Sequence, residues 1–149
     1  MTATAALVGN PNSGKTTLFN QLTGLNQMVG NWAGVTVEKK QGQVLLPGGL
    51  LTITDLPGVY SLYPYSPEER ITRRHLLTGR PGVILNIVDG TNLERNLYLT
   101  LQLLELGRPM VVAVNLMDAV QAAGDTIDCE ALAAGLGVPV LPLSARKGE

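Results

Sequence analysis

Cysteine is nearly absent: there is one among 149 residues, Cys129. A lone cysteine cannot close an internal disulfide, and no cysteine cluster stands at zinc-ligand spacing. A reducing, cytosolic setting fits best. An excess of one charge is absent too, since 11 basic and 12 acidic side chains leave a formal net charge of -1. That balance argues against a nucleic-acid partner gripped by a broad cationic face. Long hydrophobic runs are also missing. The strongest, Met110 to Val120, is broken by Asn115 and Asp118, and nothing approaches the ~20 apolar residues of a membrane span. The first ten residues lack the charged start and apolar stretch of a signal peptide. What remains is 45% apolar and 15% charged, which is the composition of a single globular domain with a real core.

Short apolar runs alternate with helical stretches. Strands are expected at Thr4–Val8, Val37–Leu46, Leu50–Thr54, Val83–Val88, Met110–Val114 and Val140–Leu143. The second and third flank Pro47-Gly48-Gly49 and read as an antiparallel hairpin. Helices are expected from Gly14 to Leu22, Ser66 to Thr78, Asn92 to Leu106, Met117 to Ala123 and Asp128 to Leu136. Ser66, Pro67 and Glu69 form a capping-box start. The stretch from Leu25 to Val35 reads as a Gly/Asn-rich loop. The pattern predicts a three-layer α/β fold around a six-stranded, mostly parallel sheet with one antiparallel strand. A closing helix after the sixth strand is expected and not found.

The glycines carry the chemistry. Gly9-Asn10-Pro11-Asn12-Ser13-Gly14-Lys15-Thr16 fits the phosphate-loop pattern, with a strand before it and a helix after it. Its backbone N–H groups and the helix dipole favour phosphate oxygens. Lys15 can neutralise the β- and γ-phosphates, and the Thr16 hydroxyl can hold Mg²⁺. Asp55-Leu56-Pro57-Gly58 follows the third strand. Asp55 there can hold Mg²⁺, directly or through water, and the Gly58 N–H can sense the γ-phosphate. Asn115-Leu116-Met117-Asp118 follows the fifth strand. The Asp118 carboxylate can accept from the ring N–H and exocyclic amine of guanine, a donor pair that adenine lacks. Ser144-Ala145 can offer a backbone N–H to the guanine oxygen. These boxes make a P-loop NTPase the expected fold and a guanine nucleotide the expected ligand.

In this order and spacing they resemble the boxes of translation-factor-class small G proteins with the Ras-like fold. The resemblance narrows at residues 9–20, at Val29-Gly30-Asn31-Trp32-Ala33-Gly34-Val35-Thr36-Val37-Glu38, at residues 55–62 and at Asn92-Leu93-Glu94-Arg95-Asn96-Leu97-Tyr98-Leu99. All four are similar to the cytosolic G domain of the FeoB family, the bacterial ferrous-iron transporters, over essentially the whole chain. That likeness implies a GTPase at the cytoplasmic face of the inner membrane, in a chain that continues into a helical domain and a permease. It implies nucleotide contacts by Thr17, Gly34, Val35 and Arg146 as well. It implies that Thr36 is the switch threonine, which reaches Mg²⁺ only while a γ-phosphate is present.

Asn12 carries a neutral amide oxygen suited to a large, weakly hydrated cation. It resembles the asparagine that marks potassium-activated GTPases, with bracing of the loop as its plainer role. The segment Gly30-Asn31-Trp32 can fold over the site and add backbone carbonyls. Two positions depart from the general G-protein pattern. Leu116 stands where many have a lysine against the base, and Val59 where Ras-like enzymes carry a water-orienting glutamine.

Three functions fit these residues. One is a GTPase, slow and potassium-stimulated, with Lys15, Asn12, Thr36 and Gly58 in catalytic roles, which regulates iron uptake by an attached permease. The second is a nucleotide-occupancy switch with negligible turnover, which Val59 favours. The third is a soluble ribosome- or RNA-associated GTPase, disfavoured by the charge balance. His75 reads as part of a solvated helix face. An arginine finger from Arg70, Arg73 or Arg74 has nothing to support it. With no ligand partners near His75 or Cys129, no iron site is expected in the chain.

Overall fold

The computed structural model describes residues 2–24, 27–79 and 81–144. One sheet organises it, in the order β2-β3-β4-β1-β5-β6-β7. Its central strand β1 (Thr2–Gly9) lies parallel to β4 (Gly49–Asp55) on one side and to β5 (Val83–Asp89) on the other. Beyond β5, β6 (Met110–Asn115) and β7 (Val140–Pro142) continue in parallel. On the far side, β3 (Glu38–Leu46) runs antiparallel to β4, and β2 (Gln27–Asn31) runs antiparallel to β3.

Period-two alternation in β1 builds two cores from one strand. Ala5 and Leu7 face Phe19, Ile53 and Ile87, so the face under α1 (Lys15–Thr23) is sealed by one phenyl ring. Ala6 and Val8 face the other way, into a larger cluster with Leu56, Leu76, Leu99 and Leu103. That cluster lies beneath α2 (Pro67–Thr78) and α3 (Leu93–Leu104), and α5 (Cys129–Leu136) packs its half-buried residues against the same layer. A short α4 (Met117–Ala122) follows β6, and one 3-10 turn, Gly90–Asn92, precedes α3.

Ser66 caps α2 as its sequence predicts. The Glu69 N–H donates to Ser66 Oγ at 3.4 Å, and the Ser66 hydroxyl donates to the Glu69 carboxylate at 3.0 Å. A buried polar chain ties α3 to the sheet. Thr100 Oγ1 donates to Asn86 Oδ1 at 2.5 Å, and Asn86 Nδ2 donates to the Val8 carbonyl at 3.1 Å. Every member is paired, so burial carries no orphan penalty.

The sheet has seven strands, where the sequence pattern predicts six. The extra one, β2, lies inside the stretch read as loop. It is an edge strand with four of its five residues exposed, and its two apolar residues, Met28 and Val29, are adjacent, so it has no apolar alternation to reveal it. Its partner β3, rather than its own side chains, makes it a strand.

Candidate functional site

Gly9, Asp55, Asp89 and Asn115 are the last residues of β1, β4, β5 and β6. They gather at the carboxyl edge of the parallel strands, where open α/β sheets place their ligand crevices. The turn from β1 into α1 is tight. Asn12 has φ of +65° and Gly14 has φ of +90°. A Cβ at Gly14 would collide with the Asn115 side-chain amide. Glycine is therefore required there by backbone conformation and by a residue 101 positions away. Asn115 Nδ2 donates to the Ser13 carbonyl at 3.0 Å, which fastens the phosphate loop to the end of β6.

The cleft at the loop has a volume of about 470 Å³ and is lined by Asn10, Pro11, Asn12, Gly14, Lys15, Thr16, Thr17 and Gly58. Lys15 forms an ion pair with Asp55, and both side chains are largely buried. The two residues that the sequence assigns to phosphate and Mg²⁺ thus meet at one point. The segment after Asp55 is zipped to β1: the Leu56 N–H donates to the Leu7 carbonyl at 3.1 Å and the Val59 N–H to the Gly9 carbonyl at 3.0 Å. A Cβ on Gly58 would stand 3.1 Å from Pro11, so Gly58 lies directly against the loop.

Two polar groups in the loop have no protein partner among the described residues. Both side-chain amide atoms of Asn10, which is 3% exposed, are unpaired, and so is the Ser13 hydroxyl. Buried unpaired groups cost about 1–3 kcal/mol each, so this loop suits a polar ligand. The donors fit a divalent cation as well, since the Asp55 carboxylate and the Thr16 hydroxyl are hard oxygen ligands of the kind Mg²⁺ takes. The Asn12 amide sits at the rim with a neutral oxygen.

The residues that the sequence assigns to the base form a second bonded unit. Leu116 adopts φ of +63° between β6 and α4, which places Asp118 in the first turn of the helix. The Asp118 N–H donates to Ser144 Oγ at 3.1 Å, the Met117 N–H to the Leu143 carbonyl at 3.1 Å, and the Leu143 N–H to the Val114 carbonyl at 2.7 Å. Asn115, Asp118 and Ser144, weak signals separately, are brought together. Ala145 and Arg146 lie outside the described residues.

The loop after β2 goes elsewhere. The Trp32 N–H donates to the Val37 carbonyl at 2.9 Å and the Val35 N–H to the Trp32 carbonyl at 3.2 Å, with Gly34 at φ of +76°. Thr36 is exposed, and neither it nor Gly34 nor Val35 lines the phosphate cleft. Ala33 and Val35 instead line a groove on α2 of about 600 Å³, together with Arg70, Arg73 and Arg74. Those arginines therefore face the groove and not the phosphate loop. Val59 is 3% exposed within the core, where it can neither hold nor orient a water.

His75 departs from the sequence reading. It is half-buried, with its ring edge-on to Trp32 at a centroid distance of 5.6 Å. Burial, and secondarily the Lys39 ammonium, lower its pKa from the usual 6.5. The signal lay in the helix period, since His75 stands beside the buried stripe of Thr72 and Leu76. Lys39, which lies over the same indole at 4.7 Å, carried no signal in the sequence.

A strand, a glycine-bearing turn and a helix cradling phosphate at the carboxyl edge of a doubly wound sheet are the plan of the P-loop NTPases, and this fold is a G domain of that class. The model of the ferrous iron transport protein B family matches residues 3–149, and the chain belongs to that family. It is 54% identical over 149 residues to the Fe(2+) transporter FeoB of Shigella flexneri and of Escherichia coli strain K12. The alignment covers 97% of this chain but 19% of each relative, so the chain spans about a fifth of their length. The cytosolic domain of Legionella pneumophila FeoB superposes with a TM-score of 0.94 at 54% identity, covering 97% of this chain and 58% of that one. A GDP form of the Thermotoga maritima FeoB cytosolic domain gives 0.97 at 42% identity, covering 100% and 59%. A GDP-bound variant of Streptococcus thermophilus NFeoB gives 0.92 at 55% identity, covering 97% and 57%.

Proposed function

We propose that this chain is the G domain of a longer membrane transporter, lies at the cytoplasmic face of the membrane, and binds and hydrolyses GTP to regulate ferrous-iron uptake. The observation that carries this reading is the cleft itself: phosphate-loop residues and Gly58 line one cavity, and Lys15 in its wall pairs with Asp55. The bond from Asn115 to Ser13 then joins that cavity to the base-reading unit.

Hydrolysis is in-line attack of water on the γ-phosphate. The chain's part is to place that phosphate against backbone N–H groups of the loop and Gly58, and to meet the developing charge with Lys15. Thr16, Asp55 and Thr36 would hold Mg²⁺, which would neutralise phosphate charge. Thr17, Leu56, Pro57, Gly34 and Val35 complete the phosphate side, and Asn115, Leu116, Met117, Asp118, Ser144, Ala145 and Arg146 the base side. Asn12 would hold K⁺, which would supply the positive charge that other G proteins draw from an arginine.

The test is single-turnover GTP hydrolysis in K⁺ and in Na⁺ at matched ionic strength. K⁺ is expected to accelerate turnover by at least tenfold, about 1.4 kcal/mol of barrier. Asn12→Ala is expected to remove the acceleration while GDP binding survives. Equal rates in the two salts overturn the potassium mechanism. A specific observation then favours the second reading, an occupancy switch with negligible turnover: Val59 is buried where a glutamine would orient water.

A further inference from the structure

The chain contains one tryptophan and one histidine, and the fold packs them on each other. Trp32 lies at the end of β2, in the segment expected to close over the nucleotide. His75 lies on α2, in the helix that follows Gly58 and its loop. The indole is gripped from two elements: the His75 ring is edge-on at 5.6 Å with an interplanar angle of 74°, and Lys39 of β3 sits 4.7 Å from the ring centroid. Trp32 also packs against the larger core cluster. Its buried N–H finds no protein acceptor among the described residues, so packing and ring contacts hold the indole without a side-chain hydrogen bond.

This grip has a consequence for the loop. With the indole seated, Ala33 and Val35 lie along α2, and Thr36 does not line the phosphate cleft. The Trp32 carbonyl is engaged as well, since it accepts from the Val35 N–H at 3.2 Å. In this arrangement the loop cannot contribute its threonine to the phosphate side of the site.

We propose that His75 is a positioning residue for GTP hydrolysis: with Lys39 it seats Trp32 on α2, holds loop 32–36 away from the phosphate cleft, and so sets how readily the loop closes. This rests on the reading of the chain as a potassium-stimulated GTPase with a moving loop. The seated state competes with closure, so it lowers the fraction of molecules able to complete the site. One edge-on aromatic pair is a small contact, which makes the balance adjustable and not locked.

The experiment compares His75→Ala, His75→Phe and Lys39→Ala with the parent chain. Acrylamide quenching of Trp32 without nucleotide reads seating directly. His75→Ala is expected to raise quenching to the level that the parent shows with a triphosphate analogue and K⁺, and Lys39→Ala to shift it part way. His75→Phe retains a ring and is expected to restore parental quenching. The K⁺ concentration for half-maximal hydrolysis is expected to fall about two- to tenfold in His75→Ala, the equilibrium worth of one aromatic contact. Its rate at saturating K⁺ and its GDP affinity are expected to stay at parental values, a split that general destabilisation does not produce.

Unchanged quenching in both His75→Ala and Lys39→Ala overturns the seating. Raised quenching with an unchanged K⁺ requirement overturns the positioning role. A parent chain insensitive to K⁺ refutes the function reading instead, and the quenching series still decides whether His75 and Lys39 seat the indole.

Discussion

The cleft at the phosphate loop and the loop at residues 32–37 are held by opposite means. The cleft is cross-braced. Ser13 is bonded to Asn115, Val59 to Gly9, and Gly14 cannot carry a side chain because Asn115 fills the space. The loop closes a turn on itself and rests on α2 through ring contacts around Trp32. Under the proposed function the contrast divides the labour, with a braced cleft for binding and a weakly held loop free to move.

The largest effect that sharpens this contrast is expected from Lys15→Ala. It removes the ammonium that the proposed function assigns to the phosphates and should weaken GTP binding by about 100-fold or more, some 3 kcal/mol for a charge-assisted contact. Isothermal titration with GTP and GDP measures it. A loss below tenfold would mean that the backbone cradle alone carries the phosphates.

Next in size is Asp118→Asn, expected to cost about 2–3 kcal/mol of GDP affinity because an amide cannot accept from both guanine donors. The same variant is expected to gain affinity for xanthosine diphosphate, which presents a carbonyl in place of the amine. Competition between the two diphosphates reads both changes, and parental GDP binding would remove Asp118 from the base-reading role.

Gly14→Ala tests the bracing itself. A positive φ and the approach of Asn115 are expected to cost about 1–3 kcal/mol of stability. A companion Asn115→Ala change should return part of that loss by opening the space. Thermal melts of the single and double variants form the cycle, and strict additivity would show that the two sites do not touch.

The smallest effect is expected on the moving side. Thr36→Ala should leave GDP affinity within about twofold, since the residue lies outside the cleft in this structure, while it slows hydrolysis. Stopped-flow binding and single-turnover rates separate the two. A large loss of GDP affinity would mean that the loop braces the cleft in every state, and the division between the two regions would fall.

Local chemistry made much of this legible in advance. A phosphate loop needs its glycines, lysine and threonine at set spacing, and a strand and helix around it have their own periodicities, so residues 2–23 could be read directly. The cap at Ser66, Pro67 and Glu69 is likewise a matter of neighbours in sequence. Residues far apart in the chain decided the rest. β2 is a strand only because β3 lies beside it, and its exposed side chains gave no alternating pattern to read. The seat of Trp32 needs β3 and α2 on either side of one ring, so His75, read alone, resembled any solvated helix residue. Spacing along a chain encodes turns, caps and faces because those interactions close within a few residues. Which edge strand pairs and which ring packs on which helix depend on contacts between segments tens of residues apart, and only the folded chain makes them.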